Sequence, residues 1–224
     1  MKNAIIRSVI EFTLIVVATT GIIFTNSSGS FMGSNSTFLF FIVQSNITIA
    51  AICLVFLIDN ILKIFGKPGF VNEVLRKIKY VFTVAITITF LVFFLMLAPT
   101  LGVDYLLSYN NFSLHAIVPI LALVDFFVFD MDIHLTKLSC LLGTLMPLYY
   151  LAFFFIGIPL GFRYLGNVAP YFFLNYELNG WFTISENGIG VVYWIIIMVF
   201  AISGLCMLFY LFVYLRQKQI KSKE

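Results

Sequence analysis

The chain has 224 residues, of which 62% are hydrophobic and only 10% are charged, and its mean hydropathy is +1.06. Soluble domains carry about 25% charged residues, and a globular protein of this size cannot bury so much apolar surface. The composition therefore excludes a soluble domain and predicts an integral protein of the lipid bilayer. The net charge of +3 does not indicate a nucleic-acid partner, because the basic residues flank apolar stretches.

Six apolar stretches are long enough to cross a bilayer as helices, since a span needs about 20 residues at about 1.5 Å rise each. They cover residues 5–25, 38–59, 79–100, 112–130, 138–160 and 189–214, with ends uncertain by about 2–4 residues. The sequence therefore predicts an all-α fold in one domain, residues 1–224, built as a polytopic bundle of six transmembrane helices.

The Lys and Arg residues predict how the bundle is oriented. Of the 13 basic residues, all except Arg163 fall at the N-terminus, in the loops after the second and fourth stretches, or in the C-terminal tail. Positive residues concentrate in cytoplasmic segments, so both termini are predicted to be cytoplasmic, in a multi-pass protein of the cell membrane. The abundance of Phe, Ile, Asn and Lys favours a bacterial source.

The first stretch places Glu11 four residues after Arg7, so the two side chains can pair on one helical face near the inner interface. This structural interpretation is favoured over a proton-carrying role for Glu11. The loop at residues 26–37 is polar, uncharged and rich in Gly and Ser, which predicts a flexible segment. Residues 70–80 fit either a short amphipathic helix on the inner leaflet or a solvated basic loop.

Polar residues inside the apolar stretches are the candidates for function. The second stretch contains three of them in succession, Gln44, Ser45 and Asn46, and the fourth contains His115 near its start and Asp125 deeper down. Lipid offers such groups no hydrogen-bond partners, so they must face protein, water or a ligand. On the predicted topology, the polar triplet and the histidine both lie toward the outer leaflet.

A hydroxyl and an imidazole that face each other in an amphipathic cavity form a nucleophile–base pair. We expect Ser45 to attack an acyl carbonyl while His115 takes its proton, and Gln44 or Asn46 to donate to the oxyanion. Hydrogen bonding between helices is the structural alternative for these residues. Asp125 lies about 15 Å deeper than the histidine, so we expect it to bond a Thr or Tyr of a neighbouring helix.

The last outer loop, residues 161–188, is rich in aromatic residues such as Tyr171 and Trp181. They suit the membrane interface or a fold back over an outer-leaflet cavity. The sixth stretch contains Ser203 and Gly204, a predicted close-packing point. The three cysteines lie in apolar stretches without metal-ligand spacing, and we expect neither a metal nor another cofactor.

Several short motifs resemble a known family. They are Phe-Phe-x-x-Gln-Ser-Asn at 40–46, Leu-His-x-x-Val-Pro at 114–119 with Asp125 after it, Pro-Leu-x-Tyr at 147–150 and Pro-Tyr-x-Phe-Leu at 170–174. The pattern covers most of the chain and resembles the six-span bacterial membrane proteins called Pr-six-Pr. That family is distantly similar to the eukaryotic androgen-induced protein and to the androgen-dependent regulator of tissue-factor-pathway inhibitor. Those relatives are membrane threonine hydrolases that act on fatty acid esters of hydroxy fatty acids.

The resemblance implies an intramembrane hydrolase or acyltransferase acting on lipid acyl esters. The family His falls on His115, whereas the family Thr falls near Ile42 or Val43, which carry no nucleophile, so the role is expected to move to Ser45. The residues expected to bind the acyl lipid or fatty acid ester are Gln44, Asn46, Asp125, Tyr150, Tyr171 and Trp181. A non-enzymatic lipid or small-molecule binder or transporter, and a structural partner subunit, remain the alternatives.

Overall fold

The computed structural model describes residues 2–27, 35–185 and 188–222. Within these ranges, six helices are long and apolar enough to cross a membrane: Asn3–Asn26, Phe41–Ile64, Glu73–Leu97, Tyr109–Phe129, Ser139–Gly157 and Val191–Ile220. The predicted all-α bundle of six membrane-length helices is therefore confirmed. We call these helices spans 1 to 6. The basic end of the bundle is the end at which span 1 begins and span 6 ends, and the opposite end is the far end.

Nine α-helices occur in the described residues, and short 3-10 and π segments extend or join them. In chain order the α-helices are α1 (Lys2–Ser27), α2 (Phe41–Ile64), α3 (Glu73–Val92), α4 (Val103–Leu106), α5 (Tyr109–Phe112), α6 (Val118–Phe129), α7 (Leu145–Gly157), α8 (Tyr176–Asn179) and α9 (Val191–Lys221). The π-helical turns are Phe93–Leu97 and Ser113–Ile117, and the 3-10 helices are Asn35–Leu39, Ala98–Thr100, Ser139–Thr144 and Phe172–Leu174. Strands β1 (Ile184–Ser185) and β2 (Gly188–Ile189) pair antiparallel before span 6.

The start of span 3 differs from the sequence prediction. The helix begins at Glu73, because Asn72 caps it by accepting a hydrogen bond from the backbone N–H of Leu75 at 3.1 Å. Residues 73–80 are therefore the first turns of a membrane-length helix, and the predictions of an interfacial helix or a loop are wrong for them. Most of the predicted flexible loop, residues 28–34, lies outside the described residues.

The described residues form three buried apolar clusters: one around Phe154 and Tyr164 toward the far end, and two centres between the spans. Spans 1 to 4 meet around Leu14, Ile49 and Ile86, none of which is exposed. Spans 3, 5 and 6 meet around Val84 and Cys206, which are equally buried. Span 3 belongs to both centres and so joins the two halves of the bundle.

Spans 5 and 6 approach closely at Gly143, near the basic end. A Cβ placed on Gly143 would come within 2.7 Å of the Sγ of Cys206 and within 3.0 Å of Val84. A Cβ on Gly204 would meet nothing within 4 Å, and Gly204 is exposed. The close-packing point predicted at Ser203 and Gly204 is therefore wrong, since a small residue of span 5 provides the close approach instead.

Candidate functional site

A cavity of about 720 Å³ lies between spans 3, 5 and 6. It reaches from the loop at Tyr171, at the far end, to Leu141 and Thr144 in the first turns of span 5. Most of its wall is apolar and includes Ile88, Val92, Phe93, Leu97, Leu148, Leu151, Ile195, Met198, Val199 and Ile202. Binding sites for small molecules have similar volumes of about 300–1,000 Å³ and similarly apolar walls.

Exposed residues of spans 5 and 6 form part of the cavity wall. Leu148 of span 5 and Val199 of span 6 line it, and they are also 48% and 44% exposed. The two spans pack closely at Gly143 and Cys206, and the cavity lies between them farther toward the far end. The wall is thus exposed on the apolar sides of both spans, and also at Leu178 of the loop at the far end, which is 77% exposed.

The loop between spans 5 and 6 covers the far end of the cavity. Tyr171 lines the cavity and stacks on Phe173, with ring centroids 5.3 Å apart and planes 5° apart. Its ring also lies edge-on to Phe40 of the segment before span 2, at 6.4 Å. Burial raises the pKa of the Tyr171 phenol, so its hydroxyl stays protonated and can donate a hydrogen bond.

His115 lies in the π-helical turn of span 4. Pro119, four residues later, has no N–H to donate to the carbonyl of His115, so the regular hydrogen-bond ladder is interrupted and a wider turn forms. The imidazole lines the cavity, is 6% exposed, and stacks on Phe93. Its Nδ1 is buried without a hydrogen-bond partner among the described residues. An unsatisfied buried nitrogen is unfavourable for stability, and the stacking on Phe93 does not satisfy it.

Ser45 does not line the cavity in the described part of the chain. Its side chain is fully buried and hydrogen-bonds the carbonyl of Ile42 at 3.0 Å and the hydroxyl of Thr89 at 2.8 Å. Thr89 does line the cavity, as His115 does. The expectation that Ser45 faces the cavity is therefore wrong, because the side chain of Thr89 lies between Ser45 and the cavity.

The two amides predicted as oxyanion donors make contacts within and between helices. The Nε2 of Gln44 donates to the carbonyl of Phe38 at 3.1 Å. The Nδ2 of Asn46 donates to the carbonyl of Ile42 at 2.8 Å and to that of Leu114 at 3.2 Å, which ties span 2 to span 4. Neither amide is part of the described cavity wall. The structural alternative therefore accounts for both amide nitrogens, whereas Gln44 Oε1 and Asn46 Oδ1 are buried without a hydrogen-bond partner among the described residues.

The remaining predicted binding residues divide between the cavity and other places. Tyr150 lines the cavity and donates a hydrogen bond to the carbonyl of Leu39 at 3.0 Å. Trp181 instead stacks on Tyr176, with centroids 5.2 Å apart, and Asp125 lies in a separate cluster near the basic end. Neither Trp181 nor Asp125 belongs to the cavity wall that the described residues form.

We call that second polar site the buried ion cluster. It consists of the side chains of Arg7, Glu11, Lys79, Asp125 and Asp130, which are 12%, 0%, 1%, 0% and 1% exposed, respectively. Spans 1, 3 and 4 supply these groups, and the ring of Phe56 from span 2 lies 4.3 Å from the Lys79 ammonium. Five ionisable groups are thus held out of water by four helices.

Each carboxylate of the cluster contacts both cations. The Nε of Arg7 lies 3.0 Å from Glu11 and 3.3 Å from Asp125, and its Nη2 donates to Asp130 at 2.5 Å. Lys79 lies 3.2 Å from Glu11 and 3.1 Å from Asp130, and it also pairs with Asp125. The predicted pair of Arg7 and Glu11 is confirmed. The predicted Thr or Tyr partner of Asp125 is wrong, because cations of spans 1 and 3 hold it.

The described residues contain no group of three or more His, Cys, Asp or Glu that could hold a metal ion. No protein-family model matches the chain, and neither a curated protein nor a solved structure matches it. Function is therefore inferred from the geometry of the cavity and of the buried ion cluster.

Proposed function

We propose that the protein binds an acyl chain of an amphipathic lipid in the cavity between spans 5 and 6. The observation that carries the proposal is an apolar cavity of about 720 Å³ whose wall includes exposed residues of spans 5 and 6 and the imidazole of His115. A chain that moves from lipid into an apolar cavity gains little from the hydrophobic effect, because both surroundings are apolar. Polar groups must therefore provide the selectivity for the ligand.

Those polar groups are His115 and Thr89 on the wall and Tyr171 in the covering loop. A carbonyl or hydroxyl oxygen of the ligand would hydrogen-bond one of these side chains. The asymmetry of the Lys and Arg residues supports a cytoplasmic location of the basic end. The ligand would then enter from the outer leaflet of the cell membrane, past Leu148 and Val199.

Photocrosslinking with a diazirine-bearing fatty acid tests the proposal. Ser203 lines the cavity, whereas the next residue, Gly204, faces away from other side chains. Ser203→Phe fills the cavity, and Gly204→Phe adds the same ring to the outer surface. We expect the wild type and Gly204→Phe to yield crosslinked peptides from the cavity wall, and Ser203→Phe to lose them.

Crosslinks spread evenly over the outer surface of the wild type would contradict binding in the cavity. The same holds for Ser203→Phe crosslinking as the wild type does. Thermal unfolding of each purified variant shows that a lost crosslink is not caused by a lost fold.

Cleavage of an ester of the bound lipid is a second candidate function, with a threonine at another position than Ile42 or Val43, where the resemblance to membrane threonine hydrolases would place it. It is favoured by the presence of Thr89 and His115 in one cavity wall. The Thr89 hydroxyl would attack the ester carbonyl and its proton would pass to His115, which then protonates the leaving alcohol. Water would hydrolyse the acyl-threonine. Ser45, at 2.8 Å, would position the Thr89 hydroxyl.

Labelling with a fluorophosphonate separates catalysis from binding. We expect Thr89→Val to abolish labelling, and Ser45→Ala to reduce it without removing it. Abolished labelling in Ser45→Ala together with full labelling in Thr89→Val would instead make Ser45 the nucleophile. The absence of labelling in the wild type, with crosslinking intact, leaves lipid binding as the function.

A further inference from the structure

The buried ion cluster has an unequal number of charges. Arg7 and Lys79 contribute two positive charges, whereas Glu11, Asp125 and Asp130 contribute three negative charges when they are ionised. The exposed fractions of the three carboxylates are 1% or less. An uncompensated charge is unfavourable in such surroundings, and the ring of Phe56 adds no charge.

Besides the charge imbalance, Asp130 has a carboxyl oxygen without a hydrogen-bond partner among the described residues. The Oδ2 of Asp130 contacts both Arg7 and Lys79, but its Oδ1 is buried without a hydrogen-bond partner among the described residues. Asp130 also caps the C-terminal end of α6, where the helix dipole disfavours a negative charge. One carboxyl oxygen of the cluster therefore lacks the contacts that stabilise an ion.

Other groups near the cluster do not supply the missing charge. Arg76 interacts electrostatically with Asp130, but its guanidinium is already paired with Asp132 at 2.7 Å. The amide of Asn60 donates to Glu11 at 2.8 Å and is neutral. Cys53, also on span 2, is a buried free cysteine. Asp59 pairs with Lys63 at 2.5 Å and accepts hydrogen bonds from the backbone N–H groups of Phe70 and Val71. A metal ion does not fit either, since the described residues contain no group of three or more His, Cys, Asp or Glu placed to hold one.

We infer that the buried ion cluster is a proton-binding site, in which Glu11, Asp125 and Asp130 share one proton at neutral pH. The proton makes the cluster electroneutral, and its position belongs to the coupled group rather than to one residue. Arg7, the partly exposed member, is the point at which the cluster meets the basic end. The inference is independent of the proposed lipid binding, because none of the five residues lines the cavity described above.

The first test is infrared spectroscopy of the purified protein in lipid nanodiscs. We expect the wild type to show the carbonyl band of a protonated carboxylic acid at neutral pH, and the band to disappear at high pH. Glu11→Gln, Asp125→Asn and Asp130→Asn each remove one negative charge, so each balances the cluster and should lose the band. Asp104→Asn is the matched control, since Asp104 is exposed in α4 at the far end. It should keep the band.

The second test is the pH dependence of unfolding. The unfolded chain releases the shared proton at neutral pH, so the native state binds one proton more and stability falls as pH rises. We expect the unfolding equilibrium constant to rise about tenfold per pH unit above neutral pH until the folded cluster loses its proton. The three neutralised variants should lack that dependence. A wild type without the band, or a band that persists in all three variants, overturns the inference.

Discussion

The imidazole of His115 lies almost flat against the ring of Phe93, with centroids 3.6 Å apart and planes 20° apart. Both residues occupy π-helical turns, one at the end of span 3 and one in span 4. A proline follows each turn and cannot continue the regular hydrogen-bond ladder, at Pro99 in span 3 and Pro119 in span 4. The stacking fixes the plane of the imidazole while its Nδ1 keeps no partner among the described residues.

The first prediction concerns the stability of His115→Phe. A phenyl ring preserves the stacking on Phe93 and removes the unsatisfied nitrogen, which costs about 1–3 kcal/mol when buried. We expect an unchanged or higher midpoint of thermal unfolding in the same detergent, together with loss of the ligand crosslinks. A clearly lower midpoint would mean that the imidazole serves the fold rather than the ligand.

The sequence is sufficient to predict the spans, but it predicts the residues of the site only in part. Apolar stretches of about 20 residues predict membrane helices because lipid offers the backbone N–H and C=O groups no partners, so these groups must hydrogen-bond one another within each span. His115 and Tyr171 were found because polar and aromatic groups stand out in apolar segments. Thr89 was missed because Thr83 and Thr87 precede it in the same span and all three look alike without the neighbouring helices.

The buried ion cluster shows a second limit of the sequence. The pair of Arg7 and Glu11 is local, at a spacing of four residues, so it could be predicted. The sequence pattern places Lys79 at the flank of span 3. The helix includes Lys79 because it begins at the cap at Asn72, and the apolar pattern of the sequence does not reveal such a cap. The contact of Lys79 with Asp125 joins two spans, and such pairing depends on how the helices pack.

The second prediction compares Lys79→Met with Arg76→Met. Removing the Lys79 ammonium leaves buried carboxylates without one of their two cations, which costs about 3–5 kcal/mol in comparable buried pairs. Arg76 pairs with Asp132 at 2.7 Å on the surface, where such a pair contributes about 0–1 kcal/mol. Unfolding of both variants at neutral pH measures the difference. Equal stabilities would show that the cluster is not an energetic unit.

The third prediction tests the orientation of the bundle with single introduced cysteines. Leu178→Cys lies in the loop between spans 5 and 6, where the native side chain is 77% exposed, and Ser222→Cys lies after span 6. A membrane-impermeant maleimide should label the first on intact cells and the second only after lysis. The native cysteines are all buried, so the wild type provides the blank. The reverse pattern would invert the proposed orientation.

The fourth prediction concerns the contact that holds spans 5 and 6 together on the basic-end side of the cavity. Gly143→Ala forces a methyl group against Cys206, at 2.7 Å, and Val84, at 3.0 Å, so one of the helices must move. Overpacking of this kind costs about 1–3 kcal/mol. Gly204→Ala adds the same methyl group where nothing lies within 4 Å, and it should be neutral or stabilising because Ala favours the helix. We expect a lower unfolding midpoint for Gly143→Ala alone. Equal midpoints for the two variants would show that the bundle adjusts at Gly143 without cost, and that the close approach does not set the spacing of spans 5 and 6.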